Sequence, residues 1–355
     1  MRWSWARTIA SPVGTAADTG PLEVAVAPSP LVSVVTPVHN GEAFLAECIE
    51  SVLAQSYSHW EYTIVNNSSV DSSLQIAESY AKQDLRIRVV STDRVLNVMA
   101  SQNFTFRQVG AAKYCKMVHA DDWIFPDCLR LMVEVAEAYP STGIVGSYRL
   151  DARPSIARVG CDSLPYPTPV VPGRELCRRS LLGQFSLGSA SSVLIRADYI
   201  RRKPDLFEES EAFADLAAWY EILRSSDFGF AHQVLTCTRL HDDTVTARLE
   251  ELEGDWPADL SILKKYGPLY LSPAEFSDRY QTILRGYQEF LARSLLARRD
   301  PEFWRYHRAA LESVGLSLTS WDLVRTLLRR WWYPVAHPAA ALGYVGRFLS
   351  TQFRR

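Results

Sequence analysis

Neither end of this 355-residue chain carries the long apolar run that a membrane span needs. Residues 1–30 are rich in Ala, Pro, Ser, Thr and Gly and lack the apolar h-region of a secretory leader, so a disordered N-terminal segment is expected there. In the last forty residues Trp321, Trp331, Trp332, Tyr333, Tyr344 and Phe348 mix with arginines. Pro334 and Pro338 interrupt that end, and no stretch of it reaches the roughly 18 to 20 uncharged apolar residues of a span. Excess charge is missing too: 38 Lys and Arg against 40 Asp and Glu leave a formal charge of -2, with no basic surplus to hold a nucleic acid. The six cysteines, Cys48, Cys115, Cys128, Cys161, Cys177 and Cys237, lack zinc spacing and read as reduced, buried thiols of a cytosolic protein. What the chain does have is 47% hydrophobic residues, enough for one large α/β core plus an appendage.

Chemistry concentrates in Val118-His119-Ala120-Asp121-Asp122-Trp123, which sets two acids where the apolar segment Tyr114-Cys115-Lys116-Met117-Val118 gives out. Carboxylates at the carboxyl end of a buried strand lie where open α/β sheets hold ligands. Magnesium and manganese favour oxygen ligands and leave part of their shell to waters or phosphates, so paired acids there suit a cation shared with a phosphate-bearing substrate. The same residues also describe a strand end followed by a helix, with Pro126 at its first position and acids near the positive pole of its dipole. Taken alone, the two readings stand level.

The upstream chain separates them by repeating the arrangement. Leu31-Val32-Ser33-Val34-Val35-Thr36 reads as a β-branched strand that stops at Pro37. A helix capped by Asn40 follows, with Phe44, Leu45, Cys48, Ile49, Val52 and Leu53 on one face. Glu61-Tyr62-Thr63-Ile64-Val65 is a second strand ending in Asn66-Asn67-Ser68-Ser69-Val70-Asp71, and Leu74, Ile76, Ala77 and Tyr80 mark the next helix. Arg86-Ile87-Arg88-Val89-Val90 alternates as a third strand, a helix occupies residues 100–109, and the fourth strand delivers the His-Ala-Asp-Asp turn. Strands alternating with helices imply an α/β fold with a mainly parallel sheet, flanked by helices, whose loops converge at one edge. Beyond the α/β region, Phe276, Tyr280, Ile283, Leu284, Tyr287 and Leu291 recur at helical spacing, so residues 251–355 read as a helical C-terminal region.

The residues at that edge resemble the inverting family 2 glycosyltransferases, which have the GT-A nucleotide-diphospho-sugar transferase fold. Thr36-Pro37-Val38-His39-Asn40 is similar to the family's opening Thr-Pro-x-Tyr-Asn. Asn66-Asn67-Ser68-Ser69-Val70-Asp71 is similar to its Asp-Asp-Gly-Ser-Thr-Asp, and His119-Ala120-Asp121-Asp122 to its Asp-x-Asp followed by Asp. Phe213-Ala214-Asp215-Leu216-Ala217-Ala218-Trp219 resembles the helix that bears Glu-Asp, and Thr238-Arg239-Leu240-His241 the Arg-x-His one strand later. The likeness covers residues 31–247 in five ordered motifs. It implies a catalytic domain over 31–250, with a nucleotide-binding half at 31–125 and an acceptor half at 126–250.

The resemblance assigns roles residue by residue. Asp215 stands at the general base. Thr36, Pro37, His39, Asn40, Asn66, Asn67, Asp71, His119 and Ala120 stand at nucleotide-binding positions, Asp71 being equally suited to cap the helix after strand two. Asp121, Asp122 and His241 stand at the metal positions, for Mn2+ or Mg2+. Gly188-Ser189-Ala190-Ser191-Ser192 suits either the acceptor-side wall of this fold or a plain loop. The departures are Asn66 and Asn67 for acids that accept a base N–H, His119 for the first acid of the metal motif, and Ala214 for Glu. The base identity, donor sugar, acceptor and linkage are therefore left open.

The implied activity is metal-dependent inverting transfer of a sugar from a nucleotide-sugar donor to a saccharide or lipid-linked acceptor, as in cell-surface polysaccharide or glycolipid biosynthesis. It implies a cytoplasmic enzyme whose aromatic and arginine-rich end either meets the inner face of the membrane or packs as a helical cap. Two other readings remain. A sugar nucleotidyltransferase would want a glycine-rich basic loop after strand one, and Pro37-Val38-His39-Asn40-Gly41 has no Lys or Arg. A non-catalytic nucleotide-binding or scaffold protein of the same fold is encouraged by the departures.

Overall fold

The computed structural model describes residues 29–153, 156–161, 164, 166–209, 213–241, 252, 254–297 and 299–317. The expected disordered N-terminal segment, up to residue 28, and the aromatic and arginine-rich end beyond residue 317 lie outside the described residues.

The first half alternates as expected: β1 (Val32–Val38), α1 (Leu45–Leu53), β2 (Trp60–Asn66), α2 (Ser73–Ala81), β3 (Ile87–Ser91), α3 (Val98–Phe106) and β4 (Tyr114–Met117). The four strands are parallel in the order β3-β2-β1-β4. β1 is apolar on both faces because helices cover both: Val32 and Val34 join one buried cluster, and Val35 joins the other. β1 also outruns its expected end, passing Pro37 to Val38. β4 pairs with it only as far as Val35, so the imide nitrogen lies beyond the doubly paired stretch.

The second half adds β5 (Trp123–Ile124), α4 (Cys128–Ala138), β6 (Thr142–Arg153), β7 (Ile156–Gly160), β8 (Val170–Val171), α5 (Gly173–Leu181), a 3-10 turn (Ala190–Ser192), β9 (Val193–Arg196), α6 (Ala197–Arg202), α7 (Ala214–Leu223) and β10 (Asp227–Arg239). β9 runs antiparallel between β4 and β6, and β10 continues parallel to β6, so one sheet crosses both halves. The helix expected from Pro126 starts at Cys128 instead. Asp127 makes no cap bond; its carboxylate accepts from Ser56 Oγ at 2.7 Å and pairs with Arg130.

The region after β10 is helical: α8 (Asp255–Tyr270), α9 (Pro273–Ser294) and α10 (Pro301–Ser313). α9 opens on a reciprocal cap between Ser272 and Glu275, with Pro273 preorganising the first turn. Ile283, Tyr287 and Leu291 of the expected face are buried. They belong to the same core cluster as Trp219 and Tyr220 of α7, and the Tyr220 and Tyr266 rings lie 5.0 Å apart. The helices therefore pack onto the sheet domain through α5 and α7. Among the described residues no helix is long and apolar enough to cross a membrane.

Candidate active site

The loops after β1 and β2 are laced together by backbone donors and short side chains. Asn40 sits in the left-handed region at φ 51, and its Oδ1 accepts the Val70 N–H at 2.9 Å. It therefore does not cap α1, which begins at Leu45. Gly41 N–H donates to Ser73 Oγ (2.8 Å), Glu42 N–H to Asp71 Oδ2 (3.0 Å), and Ser72 N–H to Glu42 Oε2 (2.9 Å). Asp71 Oδ1 also takes the Ser73 N–H at 3.0 Å. Desolvation pushes the Asp71 carboxyl up, but these hydrogen bonds outweigh it and hold it below its ordinary range.

Thr36, Asn66 at the end of β2 and Asn67 just beyond it are buried. Thr36 is fully buried, its hydroxyl donating to the Val118 carbonyl at 2.7 Å and meeting Tyr62 Oη at 2.9 Å. Asn67 clamps Leu96 at two points, Nδ2 donating to its carbonyl (2.9 Å) and Oδ1 accepting its N–H (2.8 Å). Asn66 Oδ1 takes the Ser69 N–H at 3.2 Å. Both amides thus hold the turn and the β3–α3 loop, while His39, exposed beside them, contacts the Asn67 carbonyl through Nδ1 at 2.8 Å.

The turn after β4 gathers the acids. Asp121 Oδ2 and His241 Nε2 lie 3.1 Å apart, each side chain about a third exposed at 32% and 28%. Two neighbouring ligands of one cation, each at about 2.1 Å, stand about 3 Å apart, so this pair fits a shared Mg2+ or Mn2+ that keeps its remaining positions for phosphate and water. Asp122 does not join them. It is buried, and its Oδ1 accepts the Arg239 N–H at 3.0 Å, which ties β10 to the turn. Among the described residues no group of three or more His, Cys, Asp or Glu side chains gathers to hold a metal. The Arg239 guanidinium lies over the Phe44 and Trp123 rings, 4.5 and 4.9 Å from their centroids, and bonds Glu47 at 2.6 Å.

His119 sits half-buried between these groups. Ser191 Oγ accepts its backbone N–H at 3.0 Å and meets Nδ1 at 3.1 Å, and Gln102 Nε2 lies 3.0 Å from its Nε2. Desolvation alone would lower the imidazole pKa, but Asp122, then Asp121 and Asp215, raise it. Ser191 is held in turn by Lys116, fully buried in β4, whose Nζ donates to the Ser191 carbonyl at 2.7 Å and to that of Val193 at 3.2 Å. Sequence reasoning passed over Lys116 and Gln102. The one available signal was a lysine inside an apolar strand, which must find carbonyl partners if it is buried.

Asp215 opens α7, where Oδ1 accepts the Leu216 N–H at 2.7 Å. Desolvation raises its carboxyl above the ordinary range, with the Leu216 N–H, His119 and Arg149 pulling it back. His119 Nδ1 also lies 3.8 Å from Asp122 Oδ2. Asp215 also lines a cavity of about 540 Å3 between α5, α7 and the C-terminal helices.

The polar loops after β1, β2 and β4 meet at one edge of a mainly parallel sheet, as expected for a nucleotide-sugar transferase of this architecture. Residues 33–198 match the family described as glycosyl transferase family 2, and this stretch is a family 2 domain on a GT-A fold. The uncharacterized glycosyltransferase RT0329 of Rickettsia typhi is 26% identical over 250 residues, covering 67% of this chain and 74% of that protein. The uncharacterized protein y4gI of Sinorhizobium fredii is 37% identical over 118 residues, covering 33% of this chain and only 13% of its own length. A crystal structure of S. aureus TarS residues 1–349 in complex with UDP-GlcNAc superposes with a TM-score of 0.60 at 14% identity, covering 80% of each chain, a likeness of fold.

Proposed function

We propose that the chain transfers a sugar, with inversion, from a nucleotide-sugar donor to the hydroxyl of a saccharide or lipid-linked acceptor, aided by Mn2+ or Mg2+. The observation that carries this reading is the meeting of Asp121 and His241 at 3.1 Å beside the turn after β4, two part-exposed side chains with the donor chemistry of a cation site at the strand ends of the sheet. The nucleotide seat is built from Thr36, Pro37, His39 and Asn40 after β1, Asn66, Asn67 and Asp71 after β2, and His119 and Ala120 after β4. Asp121 and His241 hold the cation. When bound, it stabilises the charge that grows on the departing diphosphate.

Asp215 takes the proton of the acceptor hydroxyl, and its raised pKa suits that task, because a base works best when its pKa approaches the working pH. Attack from the face opposite the leaving group inverts the anomeric centre. Function in cell-surface polysaccharide or glycolipid assembly, at the cytoplasmic side, completes the reading. Incubation with UDP-, GDP- and dTDP-sugars and manganese or magnesium tests it. Slow, cation-dependent release of a nucleoside diphosphate from one donor is expected, and release from none overturns the enzyme reading.

A further inference from the structure

We propose that the cavity between α5, α7, α8 and α9 is the acceptor subsite and receives an uncharged sugar residue, with Asp259 and Arg279 of the helical region as its hydroxyl-reading groups; this rests on the glycosyl-transfer reading above. The volume, about 540 Å3, falls in the ~300–1,000 Å3 range of small-molecule sites. Asp215 and Phe213 line it on the α7 side, and Asp259 and Arg279 line it from α8 and α9.

The position follows from one loop. Residues 183–188 form a wall of the cavity, and Trp219 Nε1 pins that wall by donating to the Gly188 carbonyl at 3.1 Å. Three residues further on, Ser191 holds His119. The same loop therefore borders the cavity at one end and the donor turn at the other, so a hydroxyl held in the cavity near Asp215 lies beside the donor side of the crevice.

The chemistry follows from the polar groups. Arg279 Nε donates to the Leu181 carbonyl at 2.9 Å, which orients its guanidinium. Gly183 is at φ +74, and a Cβ there would come within 2.9 Å of the Arg279 terminal nitrogen, so the guanidinium lies over bare backbone. Among the charged side chains lining the cavity, two are carboxylates and one is a guanidinium. Desolvation raises both carboxyls, that of Asp259 against the pull of Arg279. A phosphate-bearing acceptor would place its charge against two acids in partly desolvated surroundings, whereas neutral hydroxyls can donate to Asp259 and accept from Arg279. Phe185, Phe213 and Ile283 add apolar surface for the C–H faces of a sugar ring.

The test uses the full chain and the methyl glycosides of glucose, galactose and N-acetylglucosamine, with glucose 6-phosphate as the charged counterpart. Binding is followed by saturation-transfer NMR, and transfer is followed with whichever donor the enzyme hydrolyses. At least one neutral glycoside should bind more tightly than glucose 6-phosphate. Asp259→Asn and Arg279→Gln should each raise its dissociation constant and its KM tenfold or more, while the donor dissociation constant moves less than twofold. Thermal melts confirm that both variants fold, and agreement between them guards against one local distortion. Preference for the phosphate, binding by none of the glycosides, or unchanged affinity in both folded variants overturns the subsite. If glycosides bind and the variants lose them although no donor is hydrolysed, the subsite stands and the glycosyl-transfer reading fails.

Discussion

Asp215→Asn separates a general base from an ordinary helix acid, because it keeps the shape and hydrogen-bonding capacity of the side chain and removes its basicity. Loss of a positioned base costs about 10²- to 10⁴-fold in rate, or about 2.7 to 5.5 kcal/mol of transition-state stabilisation at ~1.36 kcal/mol per decade. The amide oxygen can still accept the Leu216 N–H, bound at 2.7 Å in the wild type, so the entry to α7 should hold. Stability should move the opposite way. Folding raises the Asp215 carboxyl above its unfolded value, chiefly by desolvation. Between the two values the native state binds more protons than the unfolded chain, so stability falls as pH rises from about 3.9 through the native pKa. At neutral pH the wild type carries that full cost and the variant carries none. The variant should therefore melt no lower than wild type at neutral pH and lose this advantage below the unfolded pKa. Steady-state kinetics, donor calorimetry and melting at both pH extremes give the three readouts. In the wild type the acid limb of kcat/KM should lie above the ordinary carboxylate range and disappear in the variant. Wild-type turnover in Asp215→Asn would refute the assignment, and so would a parallel loss of turnover and donor affinity, which marks a collapsed site rather than a missing base.

The remaining expectations concern the donor side. Asp121→Ala and His241→Ala should each weaken manganese-dependent binding of nucleoside diphosphate by tenfold or more in calorimetry, while binding without cation stays near wild type; equal affinity with manganese would remove the pair from the metal. Asp122→Ala should act on folding, since it strips the part-buried Arg239 N–H of its acceptor; a loss of about 1 to 3 kcal/mol in urea unfolding is expected, and unchanged stability would contradict that tie. Asn67→Asp removes the donor to the Leu96 carbonyl and sets a charge against it; competition among UDP, GDP and dTDP should change ranking by about tenfold or more as the β3–α3 loop shifts, and an unchanged ranking would place that loop outside the base pocket.

The parts of the fold that the sequence made legible are those set by local pattern. Val32, Val34 and Val35 announce a strand covered on both faces, and Leu45, Cys48, Ile49 and Val52 announce the helix that covers one of them, because burial selects those spacings whatever the rest of the chain does. The readings that shifted depend on partners far away. Asn40 has the right chemistry for a helix cap, but the Val70 N–H, 30 positions on, claims its oxygen and a positive φ takes the residue out of the helix entry. Asp122 looks like a second metal acid until β10, 117 positions on, turns a backbone N–H toward it. Asn66, at the end of β2, and Asn67, just beyond it, look like base readers, and the bonds of the Asn67 amide to Leu96 tie any such role to the β3–α3 loop.

A common cause links these shifts. Most polar groups buried at the strand ends find a partner, and in a sheet that brings loops from distant segments to one edge, that partner is often another loop's backbone. The acids left over after that accounting are the informative ones: Asp121, whose carboxylate meets only His241 among the described hydrogen bonds, and Asp215, whose carboxylate takes one backbone N–H and is otherwise partly desolvated. Both stand at their positions by family resemblance. Asp122 differs from them because it is buried and its bond ties β10 to the turn, whereas Asp121 is a third exposed and would exchange one imidazole hydrogen bond for a cation that the same imidazole can share.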